Sequence, residues 1–472
     1  MVLDGLKPER VFYYFERLCG IPHGSGNCKA ISEYCISVAE QLGLEYITDE
    51  HHNVIIKKEA SNGYESSKSV ILQGHLDMVC EKENDCNIDF LTDGLELKVS
   101  GDLVSANGTT LGADNGIAVA MVLAILEDNS LEHPAIEALF TTDEETGMFG
   151  AIGLNPANLQ GRALINIDSE NEGVFTVGCA GGARAEIGLN LGKEAVSGKF
   201  YKIRISGLIG GHSGAEIDKG RLNANIVLGN FLNSLTFDFN IISIDGGLKD
   251  NAIPRESECI ICYNGDLNLS EIATAYADEI RVETDNKLSI TVMQTTASVD
   301  GFSIADSNTI VKLLCDVPNG IQAMSEDIEG LVETSLNLGI LKTTDCGVHI
   351  SFAVRSAKNI CKEELLKKLK AIAENHGGEY ADYGHYPAWE YRKDSPLIDK
   401  MVSVYKAMYS KDPVVETIHA GLECGILSDK LQNLDAVSIG PDMWDIHTPR
   451  ERISVSSVER LYEFLIKLLS SM

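Results

Sequence analysis

Several things are scarce in this sequence, and each shortage removes a class of protein. The longest uninterrupted apolar run, 117-IAVAMVLAIL-126, is about half the length of a membrane-spanning helix and suits a buried one. No membrane association is expected. Basic residues are few, 39 Lys and Arg against 70 Asp and Glu, for a net charge of −31. A nucleic-acid binder that tracks phosphates needs basic patches, so no nucleic-acid partner is expected. The start, MVLDGLKPERVFYYFERL, carries acidic residues and lacks the continuous apolar segment of a signal peptide. Without such a signal, the twelve cysteines point to reduced thiols in the cytoplasm. One CxxC pair, Cys259 and Cys262, sits in the strand-like 257-SECIICYN-264, where residues three apart face opposite ways, and reads as structural. There is no GxSxG elbow, no GxGxxG, no P-loop and no HExxH helix.

What is present is a chain of 472 residues, 44% hydrophobic and 23% charged, long enough for two or three domains. The first 180 residues alternate strand-like and helix-like patterns. Helices are predicted over 8–19 and 29–43, and strands over 44–49, 53–58, 69–73, 136–141 and 163–167. A helix over 115–128 lies between two of these strands, with Asp114 or Asn115 placed to cap it. This order predicts an α/β domain with a mostly parallel sheet flanked by helices.

From about residue 181 the texture changes to strands (200–207, 241–246, 257–263, 287–294, 335–342, 346–355) mixed with helices (219–235, 270–284, 307–317, 362–378). That mixture suits an α+β layer with an antiparallel sheet. After about 385 the apolar-strand style returns, with a short strand at 435–440 and an amphipathic helix over 454–472. The expected architecture is an α/β domain formed by 1–180 and 386–472, interrupted by an inserted α+β domain, 181–385.

Histidines and acids recur just past the apolar strands or at the helix start. His75 and Asp77 follow 69-SVILQG-74, Asp114 enters the buried helix, Glu144 and Glu145 follow 136-IEALFTTD-143, Asp168 ends 163-ALINI-167, and His447 follows the last strand. Each residue alone has an ordinary explanation as a cap, a strand end or a solvated loop. Together they form a ligand set, because open α/β sheets bind at the carboxyl ends of their strands. Two histidines and three carboxylates can give each of two zinc-like ions one imidazole, one terminal carboxylate and one shared carboxylate. Asp77 then suits orientation of His75, and Glu144 suits a general base for metal-assisted amide hydrolysis.

The motifs GHLDMVCEK, TTLGADNGIA, TTDEETGMFGA, LINIDSE and IGPDMWDIHTPRE, in this order across nearly the whole chain, resemble the M20 metallopeptidase family. The likeness is strongest to its aminoacyl-histidine dipeptidase branch. The resemblance implies that His75 and Asp168 hold one metal, Glu145 and His447 the other, and that Asp114 bridges them. It implies Glu144 as base and Asp77 as orienting residue. It makes the inserted domain a lid, whose His212 stabilises the oxyanion, and it matches Asn251, Arg355 and Gly421 to positions that bind the substrate's backbone or carboxylate. The expected activity is hydrolysis of dipeptides, X-His dipeptides including β-alanyl-histidine, with zinc as the metal and cobalt or manganese also fitting N/O ligands. A homodimer through the lid is compatible with the sequence. Alternatives with the same site are a tripeptidase or an N-acyl amino acid deacylase. An inactive metal- or peptide-binding protein would most simply have lost one of these groups, and none is replaced.

Overall fold

The computed structural model describes residues 2–265, 267–328 and 330–472, which divide into two compact units. The first comprises 2–178, 391–417 and 422–472, and the second 179–390 with 418–421. The short segment 418–421 therefore belongs with the second unit, although the chain on both sides of it belongs to the first.

An eight-stranded sheet forms the heart of the first unit, in the order 45–48, 54–58, 136–141, 70–75, 163–166, 435–438, 174–179, 414–418. Its centre is parallel: Val70–His75 pairs with Ile136–Thr141 on one side and Ala163–Asn166 on the other, and Asp435–Ser438 continues the parallel run. Antiparallel pairs flank this centre. Strands Val70–His75 and Ile136–Thr141 are buried at every residue, as expected for a sheet covered on both faces. Helix Ala113–Glu127 is apolar all round and packs against Val70–His75 and against the amphipathic helix Glu9–Cys19. The terminal helix Val455–Leu469 buries Val458, Leu461, Phe464, Leu465 and Leu468 in the same core.

The second unit is built on a nine-stranded antiparallel sheet. Phe231, Ile261, Leu314, Phe352 and Leu369 lie in its core. Helix Ala224–Ser234 begins later than its apolar pattern suggests, because the Asn223 side chain caps it by accepting from the amides of Asn225 and Ile226.

Among the strands that the sequence pattern did not indicate are Val174–Cys179, Gly181–Asn190 and Glu379–Tyr386, together with Leu97–Ser100, Leu103–Ala106, Gly320–Met324 and Val414–Ile418. Gly181–Asn190 runs through 178-GCAGGARAEIGLNLG-192, where glycine and alanine give a weak strand signal. What keeps the stretch extended is its neighbours. A Cβ at Gly181 would strike the Pro387–Ala388 backbone, and one at Gly182 the Tyr386 ring. Among the described residues no helix is long and apolar enough to cross a membrane.

Candidate active site

The parallel centre of the first unit delivers the chemistry to one rim. His75 is the last residue of its strand, which runs two residues past its expected end, and lies opposite Thr141. Glu144 and Glu145 follow on the next strand, and Asp168 leaves the strand on the other side.

Asp114 reaches the same place by a route the sequence did not suggest. Neither Asp114 nor Asn115 caps the following helix: the cap position is Gly112 (φ +67°), and both residues lie outside helical geometry. The Asn115 side chain is used instead to join strands, accepting from the His75 amide (3.2 Å) and donating to the Ile167 carbonyl (2.6 Å). A cap would have pointed Asp114 back at its own helix. Here its carboxylate is free to face the histidines.

His75 Nε2 lies 3.1 Å from Asp114 Oδ1 and 3.4 Å from Asp168 Oδ1. His447 Nε2 lies 3.2 Å from Asp114 Oδ2 and 2.8 Å from Glu145 Oε1. The two oxygens of Asp114 thus face two different imidazoles. Two groups of potential ligands result, His75–Asp114–Asp168 and Asp114–Glu145–His447, sharing one carboxylate. Donor atoms of His75, Glu144 and Glu145 also lie within 4.8 Å of one another, so Glu144 stands at the edge of the cluster. This donor set of imidazoles and carboxylates is one that zinc, cobalt or manganese accepts.

Asp77 does more than face His75. The His75 Nδ1–H donates to the Asp77 main-chain carbonyl at 3.0 Å, with the carboxylate Oδ1 at 3.4 Å, which leaves Nε2 as the imidazole's lone-pair donor. The Asp77 carboxylate also accepts from Ser25 Oγ (2.8 Å) and from the amides of Glu144 (3.0 Å) and Glu145 (3.3 Å). One residue, through its carbonyl and its carboxylate, therefore sets both the imidazole and the acidic turn. Burial opposes its charge, yet the hydrogen bonds from His75 and Ser25 hold its carboxyl below the ordinary value.

Concentrated charge shapes the rest of the cluster. Hydrogen bonds to Asp114 and Glu145 raise His447 to about 10, and burial raises Asp168 to about 7. Burial, with Asp168, Glu423 and Glu145 nearby, raises Glu144 well above the usual carboxylate range. Beneath the rim, Glu423 is fully buried, accepts from Gln73 Nε2 (2.7 Å) and Thr141 Oγ1 (2.6 Å), and is pushed by burial to about 7. Its place in 419-HAGLECG-425, two residues past Gly421, is the signal the sequence offers for it.

The four remaining predicted residues all lie in the second unit. His212 Nδ1 accepts from the amides of Gly214 (3.2 Å) and Ala215 (3.0 Å), so the proton sits on Nε2, which can donate. Burial and the nearby Arg355 lower its pKa, favouring the neutral ring. Arg355 Nη1 donates to the Tyr386 hydroxyl (3.0 Å), while its buried Nε has no partner. Gly214 lies between these groups, and a Cβ there would meet His419 O, Arg355 Nε and His212 Cε1. Gly421 packs on the Tyr386 ring, where a Cβ would sit 2.9 Å from Cε2. Asn251 joins the group through its main chain, its carbonyl accepting from the Ser213 amide at 2.9 Å. His419, hydrogen-bonded to Ser335 Oγ at 2.7 Å, and Tyr386 complete a cluster that the sequence reading saw only in part.

Residues 71–471 match the model of peptidase family M20/M25/M40. The chain belongs to this family. It is a peptidase, similar over its full length to characterised members. It is 37% identical to the cytosol non-specific dipeptidase of Escherichia coli (strain K12), covering 99% of this chain and 98% of that one. The crystal structure of aminoacylhistidine dipeptidase from Vibrio alginolyticus matches with a TM-score of 0.95 at 35% identity, covering 100% of this chain and 98% of the other. An aminopeptidase PepT from Bacillus cereus shares the fold at a TM-score of 0.57 and 15% identity, covering 98% of each chain.

Proposed function

We propose that the protein is a dinuclear zinc dipeptidase of the cytoplasm that cleaves X-His dipeptides. The observation that carries the metal assignment is the division of Asp114 between His75 and His447, one carboxylate oxygen to each. His75 and Asp168 would hold one ion, Glu145 and His447 the other, with Asp114 between them. When bound, such a pair lowers the pKa of water and polarises the scissile carbonyl. Glu144, beside a ligand without being one, takes the proton of the attacking water and returns it to the departing amine. Asp77 fixes the His75 tautomer and the Glu144–Glu145 turn. His212, Asn251, Arg355 and Gly421 bind substrate. Neutral His212 offers its Nε2–H to the oxygen that becomes negative, and Arg355 offers a planar fork to a terminal carboxylate.

The substrate class rests on the full-length likeness to two dipeptidases, one of them named for aminoacyl-histidine substrates. The test compares wild type with Glu144→Ala for bound metal and for cleavage of X-His dipeptides, other dipeptides, tripeptides and N-acyl amino acids. Two metals in both proteins, with cleavage of X-His dipeptides lost about 10²–10⁴-fold in the variant, is the expected result. Preference for tripeptides or N-acyl amino acids would overturn the substrate and leave the site standing.

A further inference from the structure

Glu451 is a buried acid that none of the roles above uses. It lies four residues after His447, is 2% exposed, and closes a turn in which its amide donates to the Thr448 carbonyl at 3.0 Å. Both of its side-chain oxygens are taken up by four consecutive main-chain amides of a remote loop. Oε2 accepts from Leu111 (2.7 Å) and Gly112 (3.2 Å), and Oε1 from Ala113 (2.8 Å) and Asp114 (3.3 Å). These amides form the turn ahead of the regular part of helix Ala113–Glu127, which Asp114 and Asn115 interrupt, and Gly112 has no side chain to offer them. A carboxylate placed there meets four donors, and its charge strengthens each hydrogen bond.

The last residue of this cradle is Asp114, whose two oxygens are divided between His75 and His447. Glu451 itself sits on the loop of His447, a residue held at φ +60°, where a non-glycine residue needs support from its surroundings. There is little slack on the other side. Gly112 is also at positive φ, and a Cβ there would lie 3.0 Å from Met78 Sδ and 3.3 Å from His23 Nε2.

We propose that Glu451 is a positioning residue for the metal cluster: it ties the His447 loop to the Asp114 loop and so sets the spacing of two ligands more than 300 residues apart in sequence. The inference rests on the dinuclear reading of the site, but its effect on the loop can be measured separately. Replacement by glutamine keeps the size of the side chain while turning an NH₂ group toward amides that need an acceptor. Replacement by aspartate keeps the charge but falls one methylene short.

The experiment measures three properties of wild type, Glu451→Gln and Glu451→Asp. These are hydrogen exchange at the amides of residues 111–114, affinity for Zn²⁺ by competition with a chromophoric chelator, and the visible spectrum of the Co²⁺-loaded protein. The expected result is a folded glutamine variant whose 111–114 amides exchange faster, whose zinc binding is about 10–100-fold weaker, and whose cobalt spectrum is altered. The aspartate variant should lie between it and wild type, and it carries the same readouts if the glutamine variant does not fold. Faster exchange with wild-type affinity and spectrum would reduce Glu451 to a support of the 111–114 turn and overturn the proposal. Unchanged exchange would overturn it too. A wild type that binds no divalent metal overturns both readings, and is distinct from a wild type that binds two ions no better than the variant.

Discussion

The two clusters of candidate site residues in this molecule differ in their electrostatics. In the first unit, acids outnumber histidines, and the imidazoles are pulled toward the charged form: hydrogen bonds to Asp114 and Glu145 raise His447 to about 10. In the second unit burial, with the cation Arg355 adding to it against the acids Glu216 and Asp218, pushes the histidines toward neutrality. Burial, with Arg355 adding to it, lowers His419 to about 4 and lowers His212 as well. One arrangement suits the collection of divalent cations. The other suits neutral N–H donors and a guanidinium facing negative charge on a substrate. The charge a histidine carries thus follows from what surrounds it.

Three substitutions would break or sharpen this contrast. The largest effect is expected for Asp114→Ala. With the shared carboxylate gone, elemental analysis should find neither metal held at stoichiometric level, and peptidase activity should fall by about 10³-fold or more. Retention of two ions by this variant would show that Asp114 does not bridge. A moderate effect is expected for Arg355→Lys, which keeps the charge and loses the planar fork: KM should rise about tenfold with a smaller change in kcat. A fall confined to kcat would place Arg355 in the chemistry instead of in carboxylate binding.

The smallest effect at neutral pH belongs to His419→Gln, since glutamine can still accept from Ser335 Oγ. The charged and titratable groups around His419 are Arg355, Asp218 and His212. Its folded pKa of about 4 lies below the ordinary 6.5, so between these values the unfolded chain binds more protons. Stability should therefore rise with pH across this window and be lost as the pH falls, by up to about 3 kcal/mol from this group. Denaturant midpoints at pH 4 and pH 7 should differ less in the variant than in wild type. An equal difference in both would mean that His419 is not buried in its neutral form.

The two clusters were not equally legible in the sequence. The ligand rim could be read because buried parallel strands are continuous apolar runs, and the first polar residues after them necessarily collect at one edge of the sheet. His75, Glu144, Glu145 and Asp168 were found in this way. Asp114 joined the set by its place at a helix start, but the turn that aims it could not be read, because it depends on Gly112 and on Glu451, more than 300 residues away. In the second unit the sequence offered His212, Arg355 and Gly421 only through family likeness. Their setting is made by strands 181–190 and 379–386, which glycine and alanine or exposed polar residues hide from a periodicity argument. The assignment of 418–421 to the second unit was likewise invisible, since four residues carry no pattern of their own.

The proposed bridge at Asp114 joins two three-ligand groups into one dinuclear centre. It is tested most directly by metal stoichiometry in wild type, His75→Ala and His447→Ala, each titrated with Zn²⁺ under the same chelator competition. The account predicts two tightly held ions in wild type and a single weakened ion in either variant. One ion in wild type, or two in both variants, would contradict it.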